Sequence, residues 1–145
     1  MTVTDGCQSA IQPPAPCAVH VLLLRGGEVL LLRRANTGYQ AGNFSTIAGH
    51  LDGGEEVMAA AAREAREEAG ITLDPAELRM VGVMHNRGGD DEYIDFFVAA
   101  ERWEGEIVNA EPHKCAELAW HRLDNLPPNT IPYVRCALRN YQRGI

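Results

Sequence analysis

The chain reads as an α/β layered domain, a mixed sheet of strands with helices packed against it. Three features predict this: an early apolar stretch split by a Gly-Gly turn, a central run of strong helix formers closed by glycine, and further strand segments followed by a last helix. Residues 17–24 are apolar and rich in β-formers, and Arg25-Gly26-Gly27 turns the chain into 28–33, which makes a β-hairpin. Residues 34–43 (RANTGYQAGN) read as a loop and 44–48 as a short strand. The stretch 49–55 is glycine-rich and polar, whereas 56–69 holds almost only strong helix formers and stops at Gly70. Beyond Asp74-Pro75, residues 78–86 and 92–100 are strands around a turn at 87–91, and 115–120 is another. Leu123 to Leu126 runs into Pro127-Pro128, and 131–143 is a final helix with proline in its first turn, where the missing N–H costs little.

At 145 residues the chain has the length of one domain and buries roughly 70% of the surface it exposes when unfolded. Residues 1–16 carry three prolines and no periodicity and read as a loose N-terminal arm, leaving 17–145 as the domain. With 46% hydrophobic and 23% charged residues the composition is that of a globular protein. The longest apolar run, 18–24, is broken by His20 and stopped by Arg25, far short of the about 20 residues a membrane helix needs. The acidic, proline-containing start does not resemble a signal peptide. A formal net charge of -7 argues against affinity for a nucleic-acid backbone or an anionic membrane, though not against a small anion held through a metal. Cys7, Cys17, Cys115 and Cys136 form no CxxC pair and no zinc spacing, which points to reduced thiols and a cytoplasmic location.

The chemistry concentrates in residues 49–71, GHLDGGEEVMAAAAREAREEAGI. On a helix, Glu64, Glu67 and Glu68 share an arc of about 100°, and Met58, Ala61, Ala62, Ala65 and Ala69 fill the arc beside it. Spacings of three and four bring like charges together and destabilise a helix that has no counter-charge. Oxygen donors of this kind suit Mg²⁺ or Mn²⁺. The plain alternative is a solvated acidic face paired with Arg63 and Arg66. What turns the argument is the loop ahead, where Gly49, Gly53 and Gly54 permit close backbone approach and Glu55 stands at the helix entrance, eight residues before Arg63.

This stretch resembles the Nudix box, G-x5-E-x7-R-E-U-x-E-E-x-G-U, with U a bulky aliphatic residue. Gly49, Glu55, Arg63, Glu64, Glu67, Glu68, Gly70 and Ile71 all match, while Ala65 departs at a U position and Ala48 stands where a second glycine is common. The resemblance implies a mixed sheet between helices and a Mg²⁺-dependent pyrophosphohydrolase, with Mn²⁺ as a substitute and a homodimer as a family habit. It further implies that Glu64, Glu67 and Glu68 bind the metal with the Ala48 carbonyl, and that Arg63 holds Glu55 and Glu67 by bidentate pairing. Glu64 or Glu68 would take the proton of the attacking water, with Glu111 and Glu117 as outside candidates.

Residues 109–127 ahead of the last helix resemble the MutT-like branch, which points to a nucleoside triphosphate, ordinary or oxidised, cleaved to monophosphate and pyrophosphate. A nucleoside diphosphate linked to another group, such as adenosine diphosphate-ribose, is the alternative, and a sensor without turnover a third. Arg34 is a candidate for a terminal phosphate, and Tyr39, Phe44, His85 and Tyr133 for a base pocket, since aromatic faces stack on any nucleobase. Gly49 and His50 are further substrate-binding candidates, with capping of the loop as the plainer role for His50. Phe96, Phe97 and Trp120 read as core, and packing is the plainer role for each of the pocket aromatics taken singly.

Overall fold

The computed structural model describes residues 15–36, 38–88 and 91–144. In chain order it holds β1 (Cys17–Arg25), β2 (Glu28–Arg34), β3 (Phe44–Ser45), β4 (Ile47–His50), α1 (Val57–Ala69), a single 3₁₀ turn (Pro75–Glu77), β5 (Arg79–Gly88), β6 (Asp91–Ala100), β7 (Cys115–Arg122) and α2 (Pro132–Arg143). The strands order as β3-β2-β1-β6-β5, with β4 on β1 and β7 on β2. The β1–β6 pair is parallel and the other strand pairings are antiparallel, so the sheet is mixed.

Side chains on a strand alternate faces, and here both faces are apolar and both are covered. Val19, Val21, Leu23, Leu30, Leu32, Val98 and Ala100 pack toward the α1 side with Ala60, Ala61, Ala65 and Ala69. Leu22, Leu24, Val29, Leu31, Phe97 and Ala99 pack toward the α2 side with Ile131, Val134 and Leu138. The sheet therefore lies between the two helices, as expected. No helix among the described residues is long and apolar enough to cross a membrane.

Most elements fall within two residues of their expected bounds, and the departures have tertiary causes. The strand expected at 44–48 breaks at Thr46, because β3 pairs with β2 while β4 pairs with β1. Gly49 and His50, expected in the loop, extend β4 through the pairs Val19↔Gly49 and Ala18↔His50. Likewise β7 runs two residues past Trp120 because Arg122 pairs with Glu28 at the hairpin end. Between β5 and β6 the expected turn shortens, since Gly88 already pairs with Asp91. The expected N-terminal arm lies outside the described residues but for its last two, where the Pro16 carbonyl accepts the Ile94 N–H at 3.0 Å.

Candidate active site

Helix α1 positions the acidic cluster. Its alanine face is fully buried, and Glu64, on the edge of that face, is buried with it at 6% exposure. A Cβ built on Gly49 of β4 would stand 2.0 Å from Glu64 Oε2, so only glycine leaves room for this carboxyl against the strand. At the helix end Gly70 adopts φ 70° and its N–H returns to the Arg66 carbonyl at 3.0 Å, a left-handed stop that a side chain would strain.

Around the helix entrance Arg63 organises the charges. Its Nε and Nη2 donate to the two oxygens of Glu55 at 2.8 and 3.0 Å, its Nη1 donates to Glu64 at 2.8 Å, and Nη2 also reaches the His50 carbonyl at 2.9 Å. The contacts to Glu67 are longer, 3.3 and 3.4 Å. The bidentate pair thus forms with Glu55, while Glu64 takes the close contact expected for Glu67. Glu55 Oε1 also accepts the Asp52 N–H at 3.0 Å, which ties the glycine loop to the helix. These hydrogen bonds, from Arg63 above all, hold the Glu55 carboxyl below its ordinary range, and the same pair raises the Arg63 guanidinium.

Glu68 lies deeper. The Ala48 N–H donates to its Oε1 at 3.4 Å. Burial first, then the hydrogen-bonded carboxyl of Glu64, pushes the Glu68 carboxyl well above the usual carboxylate range. Among the described residues no three His, Cys, Asp or Glu side chains already converge as a ligand set, and the Arg63 guanidinium stands between Glu64 and Glu67. The donor chemistry nonetheless fits a hard divalent ion, because the cluster offers only oxygens and relieves its own repulsion on binding one.

A cavity of about 1270 Å³ gathers many of the expected residues: Arg34, Tyr39, Ala48, Gly49, His50, Glu64, Glu67, Glu68, Glu111 and Tyr133 all line it. Arg34 Nε donates to the Tyr39 carbonyl at 3.0 Å, and its guanidinium lies 5.3 Å from the Tyr39 ring centre. Others fall elsewhere. Phe44 belongs to the α2-side core, with its ring 5.1 Å from His121, because β3 turns it inward. Glu117 is exposed on β7 and pairs with Arg33 at 3.2 Å. His85 is exposed and bonded to Glu92. Phe97 is core as expected, with Phe96 and Trp120 packed against the α1-side cluster.

Sequence reasoning missed a buried polar group in the same cavity, His20, Thr46 and Asp95. His20 Nε2 donates to Asp95 Oδ1 at 3.0 Å and Nδ1 shares a hydrogen bond of 2.9 Å with the Thr46 hydroxyl. The available signal was a histidine inside the apolar run 18–24 and an aspartate directly ahead of the apolar run 96–100.

Comparison with known proteins agrees with this geometry. The NUDIX domain profile matches residues 14–140, and the chain belongs to the Nudix family. It is 37% identical over 120 residues to the NAD-capped RNA hydrolase NudC of Pseudomonas aeruginosa, covering 83% of this chain and 40% of that protein. It is 30% identical to the oxidized purine nucleoside triphosphate hydrolase of Danio rerio, over 74% of this chain and 66% of that one. The chain thus spans less than half the length of NudC. The crystal structure of a MutT NUDIX hydrolase from Burkholderia pseudomallei superposes with a TM-score of 0.80 at 26% identity, covering 88% of this chain and 98% of that one.

Proposed function

We propose that the protein is a cytoplasmic, Mg²⁺-dependent pyrophosphohydrolase that cleaves a nucleoside triphosphate, ordinary or oxidised, to nucleoside monophosphate and pyrophosphate. The observation that carries this reading is the single cavity lined both by Glu64, Glu67 and Glu68 and by Arg34, Tyr39 and Tyr133, with room for a nucleotide. The names of the relatives from Danio rerio and Burkholderia pseudomallei support the same class.

In this reading Glu64, Glu67, Glu68 and the Ala48 carbonyl hold the divalent ion. Bound there, it screens the phosphate charge and acidifies an attacking water. Arg63 and Glu55 act as scaffold, fixing the glycine loop against α1. Arg34 holds the outer phosphate through its guanidinium, and the base rests among the aromatic rings. Glu68, Glu64 or Glu111 takes the water's proton. Glu117, paired with Arg33 outside the cavity, drops out of this set. The water oxygen bonds to the β-phosphorus, the bond from that phosphorus to the α–β bridging oxygen breaks, and the monophosphate leaves with the bridging oxygen.

Turnover in ¹⁸O-water tests this by chemistry. Label in pyrophosphate is the expected result. Label in the monophosphate means attack at the α-phosphorus, and release of orthophosphate contradicts the reaction. The NudC relative favours one second reading, hydrolysis of a nucleoside diphosphate linked to another group, which yields two monophosphates. A capped RNA is a poor partner for a chain of net charge -7, so the small dinucleotide or adenosine diphosphate-ribose is the form to assay. Turnover of either class rules out a non-catalytic sensor.

A further inference from the structure

Asp95 has no part in the chemistry above, yet its burial needs a reason. It sits in β6 at 3% exposure. One of its oxygens is accounted for: Oδ1 accepts from His20 Nε2 at 3.0 Å. His20 is itself fixed, by Thr46 at its other nitrogen, by Phe97 stacked 4.5 Å away, and by the edge of Tyr133 at 5.5 Å. The second oxygen, Oδ2, is buried and has no hydrogen-bond partner among the described residues. Leaving a buried carboxylate oxygen unpaired is costly, far more so than leaving a neutral group. A purely structural brace between β1 and β6 explains Oδ1 and leaves Oδ2 unexplained.

Asp95, His20, Thr46 and Tyr133 all line the cavity that holds the acidic cluster. A carboxylate repels phosphate, so the polyphosphate goes to the cation site and Arg34, and the part of the ligand that meets Asp95 is uncharged. A carboxylate also only accepts hydrogen bonds. We propose that Asp95 Oδ2 is the specificity contact of this site, accepting a hydrogen bond from the exocyclic amino group of the nucleobase, with His20 as the positioning residue that fixes its rotamer. The ligand class is then a nucleotide with an amino-bearing base. A base with an oxo group at that place sets two acceptors against each other in a dry pocket, which is how such sites reject close analogues. The inference rests on the nucleotide hydrolase reading.

Matched substrates that exchange one amino group for one oxo group provide the test: ATP against ITP, GTP against XTP, and CTP against UTP, each with Mg²⁺. In the pair turned over best, kcat/KM should favour the amino member by about 10- to 100-fold, the scale of a hydrogen bond to a charged group. Asp95→Asn, which puts an N–H₂ donor beside the base, should bring that ratio close to one or invert it. Should this variant fail to fold, the wild-type ratio still decides. Equal rates within every pair overturn the proposal and leave the hydrolase reading standing. Discrimination between ribose and deoxyribose without any between amino and oxo places the contact on the sugar and overturns it too. Absence of turnover of every nucleotide sinks the hydrolase reading and this one with it.

Discussion

Gly49 shows how one absent side chain sets the site. Its place in the strand is ordinary backbone, so conformational freedom is not the reason for it. Space is: the Cβ of any other residue would overlap the Glu64 carboxyl, at 2.0 Å from Oε2 and 2.1 Å from Cδ. Glu64 would have to leave its position between Arg63 and Glu68. Gly49→Ala should therefore lower kcat by about 100-fold or more, the usual scale for losing one strong electrostatic element of a site, with a retained circular-dichroism spectrum. Wild-type turnover in this variant would show that Glu64 works from another position. The glycine was legible in the box pattern, although its physical reason was not. The pairing of His20 with Asp95 was not legible. They lie 75 residues apart and meet only because β1 and β6 pair in parallel, a contact that leaves no local trace in the sequence. Phe44, offered for the base pocket with packing as its plainer role, takes the packing role, in the strand the sequence expects at 44–48.

At the scale of elements, α1 was readable almost to the residue because local signals agree: strong helix formers, a small-residue face and a left-handed glycine stop. The β3–β4 break was not, since it depends on two different partner strands. The small face has a mechanical role. Ala60, Ala61, Ala65 and Ala69 are fully buried against Val19, Val21 and Ile47, which lets the helix lie close to the sheet and sets Glu64 and Glu68 over β4. Ala65 stands where the box expects a bulky aliphatic, and it is fully buried in the layer between α1 and the sheet. Ala65→Leu should overpack this layer and destabilise the fold by about 1–3 kcal/mol in urea unfolding. It should also lower activity, because the added volume pushes the carboxylates away from β4. Unchanged stability would mean that the layer holds spare volume.

For the whole molecule, charge is the governing problem. In the proposed reaction a chain of net charge -7 with an acidic cluster in its cavity receives a polyanion, and Arg63 is already spent on Glu55 and Glu64, which leaves Arg34 and Lys114 among the cavity's lining residues. In that reading bound cations supply the rest of the counter-charge. In their absence burial first, then the hydrogen bond to Glu64 and its charge, makes the Glu68 carboxyl hold its proton well above the usual carboxylate range, a proton that a divalent ion would displace. A divalent ion that binds the native cluster and not the unfolded chain stabilises the fold by mass action, by ~2.7 kcal/mol at a hundredfold excess over Kd. For a domain of this size that corresponds to a rise in melting temperature of roughly 5–10 °C. Titration with Mg²⁺ and separately with Mn²⁺, read by calorimetry at constant ionic strength, should show this rise, and the same NaCl increment should not. Glu68→Gln mimics the protonated carboxyl but is a poorer metal donor, so its metal-free melting temperature should match that of the wild type while its response to Mg²⁺ shrinks. A protein that shows no shift with either ion and keeps full activity in chelator would return Glu64, Glu67 and Glu68 to a solvated acidic face paired with arginine.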